Sequence, residues 1–349
     1  MIKLLTVVGA RPQFIKAAAV SQALNNCSNI QEVLLHTGQH FDYEMSEIFF
    51  QELNIPRAKY NLNIGSMLHG AMTGKMLEEI EKILLIEKPD AVLVYGDTNS
   101  TLAGSLAAAK LHIPICHIEA GLRSFNRKMP EEINRIMTDH LSHLLFCPTR
   151  ISIMNLKNEG VTQGVFHVGD VMYDMALKIA PIVQRRSSIL EKYSLKEKKY
   201  AFATVHRAEN TDSSERLNKI ICYLIEESAR QQLKVILPLH PRLKKLLNKY
   251  ELNFGSIIVC NPIGYLDTQS LLQNAVLIFT DSGGIQKEAY FHGVPCVTLR
   301  NETEWTETIQ AGWNRLWRDP LYITPRVPIE EYGGGMSAEQ IKEKILQFF

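Results

Sequence analysis

The chain predicts an α/β fold of two parallel-sheet halves facing a shared cleft. Short apolar runs alternate with helical stretches, and the alternation occurs twice along the 349 residues. Such alternation gives parallel sheets with helices on both faces. A second observation is positional. Acidic and imidazole side chains fall just after apolar runs, and open parallel sheets bind ligands beyond the carboxyl ends of their strands. The third is local: the apolar run at 275–280 leads into Asp281-Ser282-Gly283-Gly284 and then a helical pattern. Strand, small residues, helix start is how an α/β protein presents backbone N–H groups to a phosphate.

The elements follow in order. In the first half, strands are predicted near 2–8, 32–36, 90–95 and 113–118, with helices near 13–25, 42–53, 68–87 and 99–111. The opening MIKLLTVVGA is too short for a secretory apolar region with a cleavage site, so it reads as a strand. Pro130 opens a further helix at its first turn, where a missing N–H costs nothing. A helix follows 146–149, and 165–170 (VFHVGD) marks the crossing between halves. In the second half, strands are predicted near 200–205, 233–237, 256–260 and 275–280, with helices near 213–230, 241–250, 268–273 and 285–292. Gly333, Gly334 and Gly335 form a joint before a last helix, expected to pack back through Ile341, Ile345 and Phe348. The domains are therefore set at 1–168 and 169–335, with 336–349 returning to the first.

Composition narrows the function. A hydrophobic content of 46% supplies two cores. A net charge of +1 gives no electrostatic case for nucleic acid or an anionic membrane. The six cysteines are scattered without a CxxC pair, which fits a reducing, cytoplasmic setting. No segment approaches transmembrane length, and no histidine spacing supports a metal site.

The candidate chemistry lies at element ends. Asp97, Glu119, His206 and Asp281 each follow a predicted strand, and Glu131 sits in the first turn of the helix opened by Pro130. One such carboxylate alone is commonly a helix cap; several at the same sheet edges point to acid–base work. Ser282, Gly283 and Gly284 would offer N–H groups to a diphosphate, and Glu288 would accept ribose hydroxyls. Arg11 and Lys16, in GARPQFIK, are cations for phosphate oxygens, with a surface pair as the alternative. His240 and Arg207 are further basic candidates. His206 could equally be a buried, satisfied histidine.

Together these segments resemble the non-hydrolysing UDP-N-acetylglucosamine 2-epimerases of bacteria and archaea. The matching motifs are GARPQFIK at 9–16, TGQH at 37–40, YGDTNSTLAG at 95–104, HIEAGLRS at 117–124, PEEINR at 130–135, HRAEN at 206–210, PLHPR at 238–242 and DSGGIQKEAYFHGVP at 281–295. The resemblance implies two Rossmann-like domains in a GT-B-like arrangement, with the active site in the interdomain cleft. It also implies a UDP-sugar substrate, UDP mostly on the second domain, and a homodimer. By motif, Ser282, Gly283, Gly284 and Glu288 would hold the diphosphate and ribose, with Arg11 on the phosphates. Asp97, Glu119, Glu131 and His206 would match the catalytic group. The implied reaction is anti elimination of UDP across C1–C2 to 2-acetamidoglucal, then re-addition to the other face, in cell-surface polysaccharide precursor synthesis. No NAD is needed, and 9–16 lacks a GxGxxG pattern.

Departures bear on the sugar. Phe41, Ala208 and His69 stand where many members carry basic or arginine residues, and Trp305-Thr306 replaces an Arg-Pro pair. These features resemble relatives acting on modified sugars such as UDP-2,3-diacetamido-2,3-dideoxyglucuronate. A hydrolysing 2-epimerase and, more distantly, a GT-B glycosyltransferase remain alternatives.

Overall fold

The computed structural model describes residues 1–39, 52–53, 55–246, 250 and 252–349. The helix expected at 42–53 lies almost wholly outside these residues, as do His40, Phe41 and the end of the helix expected at 241–250.

The first sheet is parallel and seven-stranded, in the order β3-β2-β1-β4-β5-β6-β7. Its strands are β1 (Ile2–Val8), β2 (Ile30–His36), β3 (Tyr60–Asn61), β4 (Ala91–Tyr95), β5 (Ile115–Ile118), β6 (Leu144–Cys147) and β7 (Val165–His167). Around it run α1 (Arg11–Asn25), α2 (His69–Glu87), α3 (Asn99–Lys110), α4 (Pro130–Leu141), α5 (Arg150–Asn158) and α6 (Val171–Arg186). Burial explains the helix patterns. Met72, Met76, Ile80 and Leu84 recur every fourth residue on α2 and join the core, while Leu85 and Ile86 face solvent. Each such buried side chain contributes about 1.5–3 kcal/mol. Asp97 does not cap α3; Thr98 does, its hydroxyl accepting from the Thr101 N–H.

The second sheet is parallel and six-stranded, in the order β10-β9-β8-β11-β12-β13. It comprises β8 (Tyr200–Thr204), β9 (Lys234–Pro238), β10 (Ile258–Cys260), β11 (Leu277–Thr280), β12 (Cys296–Thr298) and β13 (Asn314–Leu316). Its helices are α7 (Ile189–Lys192), α8 (Ala208–Thr211), α9 (Ser214–Gln231), α10 (Pro241–Leu246), α11 (Tyr265–Asn274), α12 (Gly283–Phe291) and α13 (Thr306–Gln310). The last helix, α14 (Ser337–Phe348), buries Ile341 and Ile345 against the first sheet's layer beside α1, whereas Phe348 is half-exposed. An N–H of that helix, at Ala338, donates to Asp174 Oδ2 at 2.8 Å.

The chain divides into two compact units, Met1–Leu177 with Glu330–Phe349, and Lys178–Ile329. The division falls inside α6, nine residues beyond the change read from sequence at 168–169, in a helix that continues to Pro181 and beyond. Both sheets are Rossmann-like. Each reverses direction at one place, between β1 and β4 in the first unit and between β8 and β11 in the second. Ligands of open parallel sheets bind at such switch points. Among the described residues no helix is long and apolar enough to cross a membrane.

Candidate active site

The first unit gathers its candidates at the β1/β4 switch. Past β1, the N–H groups of Gly9 and Ala10 both donate to Gln13 Oε1, at 2.8 and 3.1 Å. The Gln13 amide donates in turn to Tyr95 O and Thr101 Oγ1, at 2.9 and 2.9 Å. This buried side chain fixes the start of α1 against the end of β4. Arg11 is then the partly exposed first residue of α1.

Lys16 is buried. It is 5% exposed, and its ammonium pairs with the carboxylate of Glu119. Glu119 follows β5 with a left-handed backbone, φ 70°, uncommon outside glycine. The N–H groups of Glu119 and Ala120 share Phe146 O at 3.1 Å each, which holds that turn. Opposite is Gly96, φ 59°. A Cβ there would meet Lys16 Nζ at 3.2 Å and Glu119 Oε1 at 3.3 Å, so the ion pair fills the space a side chain would take.

Asp97 is held by Arg135 of α4. Its Oδ2 accepts from Arg135 Nε at 3.0 Å and Nη2 at 2.6 Å. The same guanidinium donates to Glu132 Oε2 at 2.7 Å, and Asn134 donates to Asp97 O at 2.9 Å. Glu132 is buried and accepts from the N–H groups of Ser124 and Phe125, at 2.9 and 2.8 Å. It therefore shapes the loop before α4. Its neighbour Glu131 is half-buried in the first turn, where helix N–H groups favour a carboxylate, and it makes no hydrogen bond or ion pair among the described residues.

Beneath these groups, His117 bridges two elements. One ring nitrogen lies 2.7 Å from Asp139 Oδ1 and the other 2.8 Å from Gly96 O. Asp139 also accepts from Arg123 Nη1 at 2.7 Å, and Arg123 forks onto Glu159 at 2.7 and 2.7 Å. Burial works against the Asp139 carboxylate, but His117 and Arg123 outweigh it and hold its carboxyl below the usual range. The network pins the Gly96–Asp97 turn to the Glu119 turn.

The second unit gathers its candidates at the β8/β11 switch. Asp281 is fully buried, and it is not the cap of α12: Ser282 is, accepting from the Ile285 N–H. Asp281 instead faces β8. It accepts from the N–H groups of His206 and Arg207, each at 2.9 Å, and from Asn210 Nδ2 at 3.0 Å. His206 Nδ1 lies 3.0 Å from Asp281 Oδ1. Burial opposes ionisation here, yet these donors hold the Asp281 carboxyl well below the ordinary range. A carboxylate on Nδ1 fixes that proton and turns Nε2 outward for a ligand. The His240 ring stands beside it, with centroids 5.3 Å apart.

Around α12, Gly283 and Gly284 form the half-buried first turn after Ser282. Glu288 is 3% exposed and accepts from Gln269 Nε2 at 2.7 Å, while Gln269 Oε1 pairs with His292 Nε2 at 2.7 Å. Burial, aided by the charge of Lys198, pulls the His292 pKa down to about 4. Between pH 6.5 and about 4 the unfolded chain therefore binds the extra proton. Stability should fall as pH drops through that window, by at most about 1.4 kcal/mol per pH unit. Urea denaturation at several pH values checks this, and His292→Gln should flatten the slope; an unchanged slope would remove His292 as its source.

The structure places Asp97, Glu119 and His206 just after the strands predicted for them, Arg11 and Glu131 in the first turns of their helices, Ser282, Gly283 and Gly284 at the start of α12, Glu288 within it, and Arg207 and His240 after β8 and β9. Sequence missed the positioning residues Gln13, His117, Arg135, Asp139, Asn210 and Gln269. The Glu132–Arg135 spacing was a visible signal; the rest act between elements distant in sequence. Among the described residues no cluster of three histidine, cysteine, aspartate or glutamate side chains could hold a metal ion.

Known proteins resemble this chain in sequence and in fold. A UDP-N-acetylglucosamine 2-epimerase family model matches residues 22–323. A UDP-N-acetylglucosamine 2-epimerase homolog of Methanococcus maripaludis is 56% identical, covering 90% of this chain and 88% of the relative. The UDP-2,3-diacetamido-2,3-dideoxy-D-glucuronate 2-epimerase of Pseudomonas aeruginosa is 50% identical over 98% of this chain and 99% of its own. The crystal structure of the Methanocaldococcus jannaschii UDP-GlcNAc 2-epimerase, in complex with UDP-GlcNAc and UDP, superposes with a TM-score of 0.93 at 43% identity, covering 100% of both chains. With carboxylates anchored at one switch point and an aspartate-oriented histidine beside a serine-capped Gly-Gly turn at the other, the chain belongs to the UDP-N-acetylglucosamine 2-epimerase family.

Proposed function

We propose that the protein interconverts UDP-N-acetylglucosamine and UDP-N-acetylmannosamine by inverting C2, without net hydrolysis. The observation that carries this reading is the group Asp97, Glu119 and Glu131 at the β1/β4 switch, two of the three held by buried cations. In the proposed route the C1–O bond breaks and its electron pair leaves with UDP. The C2–H proton passes to a carboxylate, and that C–H pair becomes the C1=C2 bond of 2-acetamidoglucal. C2 has no adjacent carbonyl, so bond loss at C1 runs ahead and positive charge builds there, which carboxylates stabilise. The second unit carries the leaving group. The α12 terminus and the outward Nε2 of His206 neutralise the charge developing on the diphosphate, and Glu288 serves the ribose. Re-addition of UDP with protonation from the opposite face completes inversion, so at least two acid–base groups are needed.

A second reading has its own support. Half of all residues match the Pseudomonas aeruginosa enzyme over nearly the whole chain, and Trp305 departs from the Arg-Pro pair noted above. On that reading the substrate is UDP-2,3-diacetamido-2,3-dideoxyglucuronate. Proton NMR of the purified protein in D2O with both UDP-sugars tests the two together. The expected result is a C2 epimer with deuterium at C2 and no accumulation of free sugar. Absence of C2 exchange during turnover would rule out the elimination route, and free sugar with UDP would indicate a hydrolysing enzyme.

A further inference from the structure

The phosphate-facing end of α12 already has a carboxylate on it. Glu304, in the loop after β12, is 6% exposed. A Cβ built on Gly283 would collide with Glu304 Oε1 and come within 3.2 Å of Trp305 Nε1. The space left by the absent Gly283 side chain is thus filled by the chain's own side chains. Glu304 Oε2 accepts from Arg300 Nη1 at 2.9 Å, and Oε1 lies 3.9 Å from Arg207 Nη2. An anion at a helix start between two guanidinium groups occupies the electrostatic position that α/β proteins give to a phosphate.

Arg300 supplies the second observation. It is 1% exposed, yet its Nε and Nη2 make no hydrogen bond among the described residues. Glu209 Oε1 lies 3.8 Å from Nε, beyond hydrogen-bond reach. A buried guanidinium with two unused N–H groups is costly unless another acceptor arrives. Arginine's fork matches phosphate oxygens two at a time. Glu304 fills one arm of that fork and leaves the others for a further anion.

We propose that Glu304 is an internal anion standing in for the diphosphate at the α12 terminus, and that an incoming diphosphate displaces it while taking the unused N–H groups of Arg300. The inference rests on the second unit being the UDP site. Its consequence is a moderated affinity. Every phosphate ligand must move a resident carboxylate, so it binds less tightly than the terminus and Arg300 alone would allow. Trp305 backs the arrangement: its ring lies 3.9 Å from Lys287 Nζ, which fixes the loop that carries Glu304.

Calorimetric titration with UDP, inorganic pyrophosphate and uridine tests this on the full chain. Glu304→Gln keeps the shape and removes the charge. It should bind UDP and pyrophosphate about tenfold more tightly, while uridine affinity stays the same. Adding Arg300→Gln should abolish that gain. Glu304→Asp, which withdraws the carboxylate by one methylene, should tighten UDP in the same direction, and it decides the matter if the glutamine variant does not fold. Unchanged or weaker UDP binding by folded variants would overturn the proposal, since Glu304 would then merely hold Arg300 in place. An equal gain for uridine would also overturn it. Failure of the unaltered protein to bind UDP at all would instead refute the proposed function.

Discussion

Glu119→Gln is expected to lower epimerisation by about two to four orders of magnitude while leaving UDP binding in place. The expectation follows from the cost of building this position. A non-glycine residue sits at φ 70°, held by two N–H groups on one carbonyl, and its carboxylate meets a lysine that is almost wholly buried. Such strain is kept where the surrounding structure over-determines it, most often at functional sites. The carboxylate is one of the groups proposed to take the C2 proton. Glutamine cannot take the C2 proton and leaves Lys16 without its counter-charge. Removing one partner of a buried pair typically costs about 3–5 kcal/mol, so thermal unfolding must be measured alongside turnover. Loss of C2 deuterium exchange in a folded, UDP-binding variant is the specific readout. Asp97→Asn and Glu131→Gln belong to the same range. If all three variants turn over nearly normally, the carboxylates are structural and the chemistry lies elsewhere.

The strands that formed long apolar runs, such as Val92 to Tyr95, were legible because burial on both faces leaves no polar gaps. Five strands were not assigned: Tyr60–Asn61, Leu144–Cys147, Val165–His167, Cys296–Thr298 and Asn314–Leu316. All are short. The last contains a buried asparagine and arginine whose partners come from other elements, so no periodicity marks it as interior. At the sites, position after a strand correctly drew attention to Asp97, Glu119, His206 and Asp281, but it could not separate their roles. Asp281 looks like the others in sequence; only the fold reveals that four donors surround it. Lys16 was singled out by its helical spacing from Arg11; its depth against Gly96 and its pairing with Glu119 depend on packing between β1, β4 and β5, which spacing does not show. Phe348 had the right spacing for the core and lost it to the fraying end of α14.

The burial of Asp281 makes it the second test with a large expected effect. Asp281→Asn should reduce turnover by about two to four orders of magnitude, although the residue need touch no substrate. The reason is orientation. The carboxylate accepts from the His206 N–H, the Arg207 N–H, Asn210 Nδ2 and the His206 ring at once. An amide of the same shape has one oxygen to accept with and turns an NH2 toward donors. The His206 ring then loses the partner that fixes its proton on Nδ1, a change that in other aspartate–histidine pairs leaves geometry intact and removes most of the rate. Stability should fall too, by about 3–5 kcal/mol at neutral pH. The pH dependence has a defined sign. Because the folded-state carboxyl is held below its ordinary range, its contribution is full above the unfolded value near 4 and is lost as pH falls through the folded value. The gap between the parent protein and Asp281→Asn in urea should therefore be widest at neutral pH and narrow below about pH 4. Glu288→Gln provides the contrast, because it should weaken UDP binding without disturbing the orientation of His206. Asp281→Asn with normal turnover and an unaltered pH–rate profile would mean that His206 needs no orienting carboxylate, or that the leaving-group role rests with the α12 terminus alone.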